Sequence, residues 1–390
     1  MMSFFQLSLI AAVALLGPLL ALPRTWHLPV VLGQLLAGIV IGRTGFGLVD
    51  PGDPTFTLMA DVGFALVMFV AGTHVPVRDE EIRAALGSGA ARAGVAAGLA
   101  AAVGIGIAAA FGTAHAPLYV VLLASSSAAL VLPIVDSLRL GGPKVLTTTA
   151  QVAIADIACI VALPLAVDPP NAGRTALGAL AVGSCSVLLF FVLRALERSG
   201  MRGRLHEVSE DRKFAMELRI QLALLFALAG LAVFGRVSIM LAGFSFGLVV
   251  AAVGEPRRLA HQLFAVSDGF LGPVFFVWLG ASLDVHDLGS NPPMILLGLC
   301  LGAGTLLVHA AIRLLGQPLP LAVLSASQLG IPVAAATIGS QMKLLEPGEA
   351  AALVLGALIT IAASALAGSR AARRFGRAQE SRTAPVDPAS

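Results

Sequence analysis

The chain has 390 residues, of which 57% are hydrophobic and only 12% charged, with a mean hydropathy of +0.92. A water-soluble domain carries about 25% charged residues, so this composition excludes one, together with disorder and collagen. The formal net charge of +3 sits in short basic segments between apolar runs, which argues for membrane topology and against a nucleic-acid-binding face.

Apolar runs of about twenty residues, rather than alternating segments of about ten, predict an all-α polytopic membrane protein and not a β-barrel. Thirteen spans are predicted, at residues 4–22, 28–47, 56–74, 90–112, 117–138, 145–166, 175–197, 214–234, 237–253, 267–283, 294–315, 317–340 and 347–368. The first lacks a basic lead and exceeds a usual signal-peptide core, so it is expected to remain as a span. An odd number of spans puts the termini on opposite sides, and the basic tail (Arg370, Arg373, Arg374, Arg377, Arg382) places the C-terminus in the cytoplasm. Arg43, Arg174, Arg236 and Lys343 are then expected outside and Arg219 within a span, with the other basic residues cytoplasmic. Residues 1–368 read as one transmembrane domain with two halves, 1–197 and 214–368, joined by a cytoplasmic linker at 198–213. A basic tail at 369–390 follows, too short for a nucleotide-binding regulatory domain.

Charged groups inside spans cost about 2.5–3.5 kcal/mol each at a helix centre, so each marks a candidate site. Asp61, near the start of the third span, reads as interfacial, as do Asp136 and Asp284. The fifth span carries Ser125, Ser126 and Ser127, then Pro133; three hydroxyls and a proline suit a locally unwound helix, whose freed backbone groups need new partners. Asp156, in TTTAQVAIADIACIVALPLA, is the carboxylate expected at mid-membrane. Glu217 and Arg219 open the eighth span two residues apart and read as packing groups. His309 is a deep titratable group whose bland reading is a hydrogen-bonded packing residue. A second irregular stretch, Ser325 to Pro332 with Gln328 within it, falls in the corresponding position of the second half. Paired interruptions of this kind point to a transporter site.

Several patterns are set aside. Cys159, Cys185 and Cys300 lie in apolar runs without metal-site spacing. Gly243-Phe244-Ser245-Phe246-Gly247 matches a nucleophile elbow but lies inside an apolar span. Gly94/Gly98 and Gly298/Gly302 are GxxxG pairs expected to report close packing.

Three stretches carry a family resemblance: LGQLLAGIVIG (32–42), DVGFALVMFVAGT (61–73) and GPVFFVWLGASLDV (272–285). With them, the chain from about residue 4 to 368 resembles the bacterial monovalent cation:proton antiporter family 2 of the sodium/proton exchanger superfamily. The resemblance implies a homodimer of thirteen-span subunits with inverted repeats, two crossed discontinuous helices and elevator-like motion in a bacterial inner membrane. It sets Ser125-Ser126-Ser127 where the family has a Thr-Ser-Pro stretch, and Asp156 where it has its ion-binding aspartate. The chain departs at Ala155, where many relatives carry a second carboxylate or an amide, near Gly304, where electrogenic relatives carry a lysine, and at Ile331, where many carry Glu.

The expected function is exchange of Na+ or K+ for H+, with no cofactor and no enzymatic activity. Asp156 is the shared and transient cation and proton site, Ser125, Ser126 and Ser127 supply oxygen ligands, and Gln328 and His309 are secondary candidates. One titratable carboxylate and no basic partner imply one cation per proton, an electroneutral cycle that avoids about 2.3 kcal/mol per charge at 100 mV. An ion-coupled symporter or channel on the same scaffold and a transport-impaired sensor are the alternatives. An intramembrane protease would need paired aspartates, or a serine with a base beside it.

Overall fold

A computed structural model describes residues 2–22, 30–75, 80–199, 216–235, 237–254, 263–283 and 285–375. Most of the 198–213 linker, the end of the tail, Arg236 and Asp284 lie outside the described residues, as does the side chain of Asp136. Among the described residues the regular structure is helical throughout. Ten helices are long and apolar enough to cross a membrane, and three shorter apolar ones (Val30–Ile41, Ala116–Leu132, Ile239–Val253) fall at the remaining expected spans.

In chain order the helices are α1 (Phe4–Ala14), α2 (Leu16–Ala21), α3 (Val30–Ile41), α4 (Pro54–Thr73), α5 (Glu80–Phe111), α6 (Ala116–Ala124), α7 (Ala128–Ser137) and α8 (Pro143–Val167). They continue with α9 (Ala172–Arg198), α10 (Met216–Phe234), α11 (Ile239–Val253), α12 (Gly272–Ser282), α13 (Val285–Ser290), α14 (Pro292–Ala311), α15 (Leu319–Ser325), α16 (Gly330–Gln341) and α17 (Glu349–Phe375). Two helices run well past their expected spans. α5 begins ten residues before the apolar run, because its charged, alanine-rich lead (EEIRAAL) is a good helix former that needs no membrane to stay helical. α17 runs seven residues past its apolar run and ends with Arg373 and Arg374 in its last turn, where cations face the negative end of the helix dipole.

The chain divides into two compact units, one of residues 1–78, 160–296 and 333–353, the other of 79–159, 297–332 and 354–390. In the first, glycines let helices touch backbone to backbone. A Cβ at Gly38 would lie 2.1 Å from the Val277 carbonyl, joining α3 to α12. Gly243 and Gly247 press α11 onto α4 in the same way, against the Ala65 and Phe69 carbonyls. The GxSxG pattern is therefore a packing surface.

In the second unit, α5 buries a stripe through Gly89, Ala96, Ala100, Gly104 and Ala108, whose steps of seven and then four residues keep to one helix face. Gly104 packs on the backbone of Val120 in α6, and Gly302 of α14 on Ile359 of α17. Gly94 and Gly98 correct the expectation for the first GxxxG pair: a Cβ at either would meet nothing within 4 Å, because both lie off that stripe. An apolar cluster of Val131, Leu132, Val145, Val152, Leu321, Leu324 and Ala371 ties α7, α8, α15 and α17 together.

α7 and α16 end alike. At α16, Lys343 donates to Ser340 (3.1 Å) and Leu344 to Gly339 (2.8 Å), with Lys343 left-handed at φ 56°. At α7, Leu140 donates to Val135 (2.9 Å), with Arg139 at φ 47°. Glycine usually fills this capping position, and a side chain there costs about 1 kcal/mol. Among the described residues these are the only non-glycine positions with positive φ.

Candidate functional site

The fifth and twelfth spans are both broken, at Ser125–Ser127 between α6 and α7 and at residues 326–329 between α15 and α16. The unwound stretches are shorter than expected. Helix resumes at Ala128, leaving Pro133 inside α7, and at Gly330, leaving Pro332 in the first turn of α16. A first-turn proline costs little, since the N–H it lacks has no partner within the helix.

Broken helices expose backbone donors and acceptors in a place without water, so each must find a protein partner. The two breaks lie against each other in the second unit and satisfy one another. The Ser127 amide donates to the Ser327 carbonyl at 2.8 Å, and the Ser126 hydroxyl to the Ser325 carbonyl at 2.6 Å. The Gln328 side-chain amide donates to the carbonyls of Leu122 and Ser125, the latter at 3.3 Å, and to the Thr305 hydroxyl at 3.4 Å. Its backbone amide donates to the Thr360 hydroxyl at 3.3 Å. One turn on, the Ser364 hydroxyl donates to the Val323 carbonyl at 3.0 Å.

Asp156 joins this crossing from α8, thirteen residues and about 20 Å from the start of that helix. Its Oδ2 accepts the backbone N–H of Ala128, the first residue of α7, at 2.8 Å. The carboxylate therefore caps the positive end of a half-helix, an arrangement that stabilises an anion. Asp156 is only 6% exposed and is the one buried carboxylate among the described residues of this unit. The other buried acid, Glu349, lies in the first unit and caps a turn, its Oε2 accepting the Glu346 amide at 2.9 Å.

The three serines separate by role. Ser125 donates its hydroxyl to the Leu122 carbonyl at 2.9 Å, and Ser126 spends its proton across the crossing. Ser127, next to Ala128 in the chain, is 4% exposed, and it is its backbone amide, not its hydroxyl, that bonds across the crossing. His309, fully buried on α14, has Nδ1 3.2 Å from the Ser325 hydroxyl. That hydroxyl already donates its one proton to the Ala322 carbonyl at 2.8 Å, so the ring nitrogen is the donor. This contact ties α14 to the end of α15, while the other ring nitrogen, Nε2, is buried with no partner among the described residues. Gly304 faces Leu123, Val103 and Ile107, whose side chains would lie 3.0–3.5 Å from an added Cβ.

Sequence reasoning missed Thr305, Thr360 and Ser364. A signal was present: Thr305/His309 and Thr360/Ser364 are polar pairs at i, i+4 in otherwise apolar helices, each placing two polar groups on one face. It also missed Arg92, counted with the cytoplasmic span ends, which lies within α5 with Nη1 buried and unpartnered among the described residues. Asp61 is half-buried in α4 and lines a separate cavity of about 380 Å3 in the first unit, with Asp168 and Arg174.

Comparison with known proteins agrees with this architecture. The chain is 24% identical over 380 residues to YjbQ of Bacillus subtilis, covering 92% of this chain and 61% of that protein. It is 29% identical over 350 residues to the glutathione-regulated potassium-efflux system protein KefC of Salmonella typhimurium, covering 86% of this chain and 55% of the relative. It therefore spans only part of the length of these relatives. The solved structure of the sodium proton antiporter MjNhaP1 from Methanocaldococcus jannaschii superposes with a TM-score of 0.63 over 94% of this chain and 97% of that one, at 16% identity, and so shares the fold. The family model described as sodium/hydrogen exchanger, transmembrane, matches residues 11–368, and the chain belongs to that family of cation:proton antiporters.

Proposed function

We propose that the protein exchanges a monovalent cation, Na+ or K+, for H+, with Asp156 as the shared site. The observation that carries this reading is the position of Asp156, a buried carboxylate on the amino end of a half-helix where two broken helices cross. Ionised, Asp156 offers its second oxygen, with the hydroxyl and carbonyl oxygens of the break, to a cation that has shed water. Protonated, it is neutral and no longer attracts one. Competition between the two cargoes for one carboxylate couples them. Ser125, Ser126 and Gln328 hold the crossing in shape by donating to backbone carbonyls, which leaves their oxygen lone pairs turned away from those bonds.

The cycle is electroneutral in this reading, since one carboxylate alternates between one proton and one cation and Gly304 stands among apolar side chains. The names of relatives support either Na+ or K+ as cargo. The two halves on either side of residues 198–213 form inverted repeats, supported by their matched broken helices and matched basic caps at Arg139 and Lys343. We further take the C-terminus as cytoplasmic, the membrane as a bacterial inner membrane and the working form as a homodimer.

The test is cation-induced proton flux in proteoliposomes with Na+, K+ and Li+ across a pH series, for wild type and Asp156→Asn. Flux in the wild type alone, unchanged when an ionophore clamps the membrane potential, is the expected result. Equal flux in the two proteins would remove Asp156 from the mechanism, and flux that follows the clamped potential would remove electroneutrality.

A further inference from the structure

Away from the crossing, the first unit holds a cavity of about 470 Å3 lined by Arg43, Lys343 and Glu346. It sits where α3, α12 and α16 end and α17 begins, the level at which the ends of apolar spans are expected to meet a membrane interface. The rest of the lining divides into apolar groups, among them Trp278, Leu279, Leu283 and Leu345, and small polar ones. Thr337 lines both this cavity and the one beside Asp61, and its hydroxyl is buried with no hydrogen-bond partner among the described residues. Two of the few basic residues expected on the side away from the cytoplasm thus line one cavity, with Glu346 as the one carboxylate of the lining among the described residues. Arg43 is only loosely engaged, 3.9 Å from Asp50, and both side chains of that pair are more than half exposed.

Lys343 adds an independent observation. It occupies the left-handed position that ends α16, where glycine would be unstrained, and it is exposed. Strain of this kind at a cavity rim is a pointer to a side chain retained for what it binds.

We propose that this cavity holds the headgroup of an anionic phospholipid. The phosphate would sit between Arg43 and Lys343, the Thr337 hydroxyl would gain a partner, and the first carbons of the lipid would lie on the Trp278 and Leu345 side. A lipid is favoured over a soluble anion because an amphiphile matches both the charged rim and the apolar wall, and because the cavity opens where span ends meet headgroups. The site is independent of the ion-exchange reading.

The experiment compares the purified full chain in nanodiscs of phosphatidylcholine alone and of phosphatidylcholine mixed with phosphatidylglycerol, reading the thermal midpoint and lipid adducts by native mass spectrometry. Phosphatidylglycerol should raise the midpoint by a few degrees and be retained in preference to phosphatidylcholine, as expected of any ligand that binds only the folded state. The variant with Arg43→Gln and Lys343→Gln together should lose both effects. Lys343→Gly separates binding from architecture: it should raise the midpoint in phosphatidylcholine by relieving the strained cap, yet lose most of the response to phosphatidylglycerol. An unchanged response in both variants would overturn the proposal. An equal rise from inorganic phosphate added to phosphatidylcholine nanodiscs would also overturn it, in favour of a soluble anion. If the double variant fails to fold, Lys343→Gly decides alone.

Discussion

The two broken helices solve one problem with different chemistry. At the first break, the amino end of α7 is capped by a carboxylate, with Ala128 donating to Asp156 at 2.8 Å. At the second, the freed groups meet only neutral partners: Gln328 on Thr360, Ser327 on the first break, and the Ser325 carbonyl on Ser126. Both breaks are satisfied, so the difference is not one of stability. In the proposed exchange, a titratable group would let one break trade a proton for a cation, whereas a neutral amide would only hold the other in place. On that proposal the chemistry lies at the first break, and the second is its scaffold.

The sharpest way to break this comparison is to neutralise the one charge. Asp156→Asn keeps an oxygen for the Ala128 amide and should abolish flux by at least about a hundredfold while leaving the thermal midpoint within a few degrees of wild type. Asp156→Ala should be equally inactive but less stable by about 1–3 kcal/mol, the cost of a buried orphan donor, as read by denaturation in detergent. If Asn and Ala variants melt alike, the carboxylate is not a cap.

Removing the scaffold should act on stability first. Gln328→Leu deletes the side-chain contacts to Leu122, Ser125 and Thr305 and should cost about 2–3 kcal/mol, with flux lost in proportion to folded protein. A well-folded variant with altered Na+/K+ preference would instead move Gln328 into the ion site. Ser127→Ala should raise the half-saturating cation concentration by about tenfold, near 1.4 kcal/mol, and Ser126→Ala should leave it unchanged while lowering the midpoint. Equal effects from the two serines would erase the division of roles drawn between them. The smallest effect belongs to His309→Gln, which can still donate to Ser325 and should change flux by less than about twofold.

Much of the architecture was legible along the chain because a membrane leaves few choices. Backbone groups in hydrocarbon must pair locally, so apolar length reports a helix directly. Ser125 to Ser127 and the stretch around Gln328 were visible as breaks because hydroxyls, an amide and prolines interrupt apolar runs. Asp156 stood out because a charge at that depth needs a reason. The extents of the breaks were less legible: Pro133 and Pro332 suggested longer unwound stretches, yet both fall within helix. Gly94 and Gly98 show the limit of spacing arguments, since a GxxxG pair has a packing role only if its face meets another helix.

The sequence by itself determined the number and type of elements, the two interruptions and the identity of the deep carboxylate, because each follows from local composition and the cost of leaving water. Only the tertiary structure decided partners. It assigned Asp156 to the Ala128 amide, spent the hydroxyls of Ser125 and Ser126 on carbonyls, brought Thr305 and Thr360 to Gln328, and set Lys343 at the rim of a cavity with Arg43. Hydrogen bonds that join residues as far apart in the chain as Gln328 and Leu122 depend on how helices cross, and crossing is set by side-chain shape and glycine contacts that no local window contains.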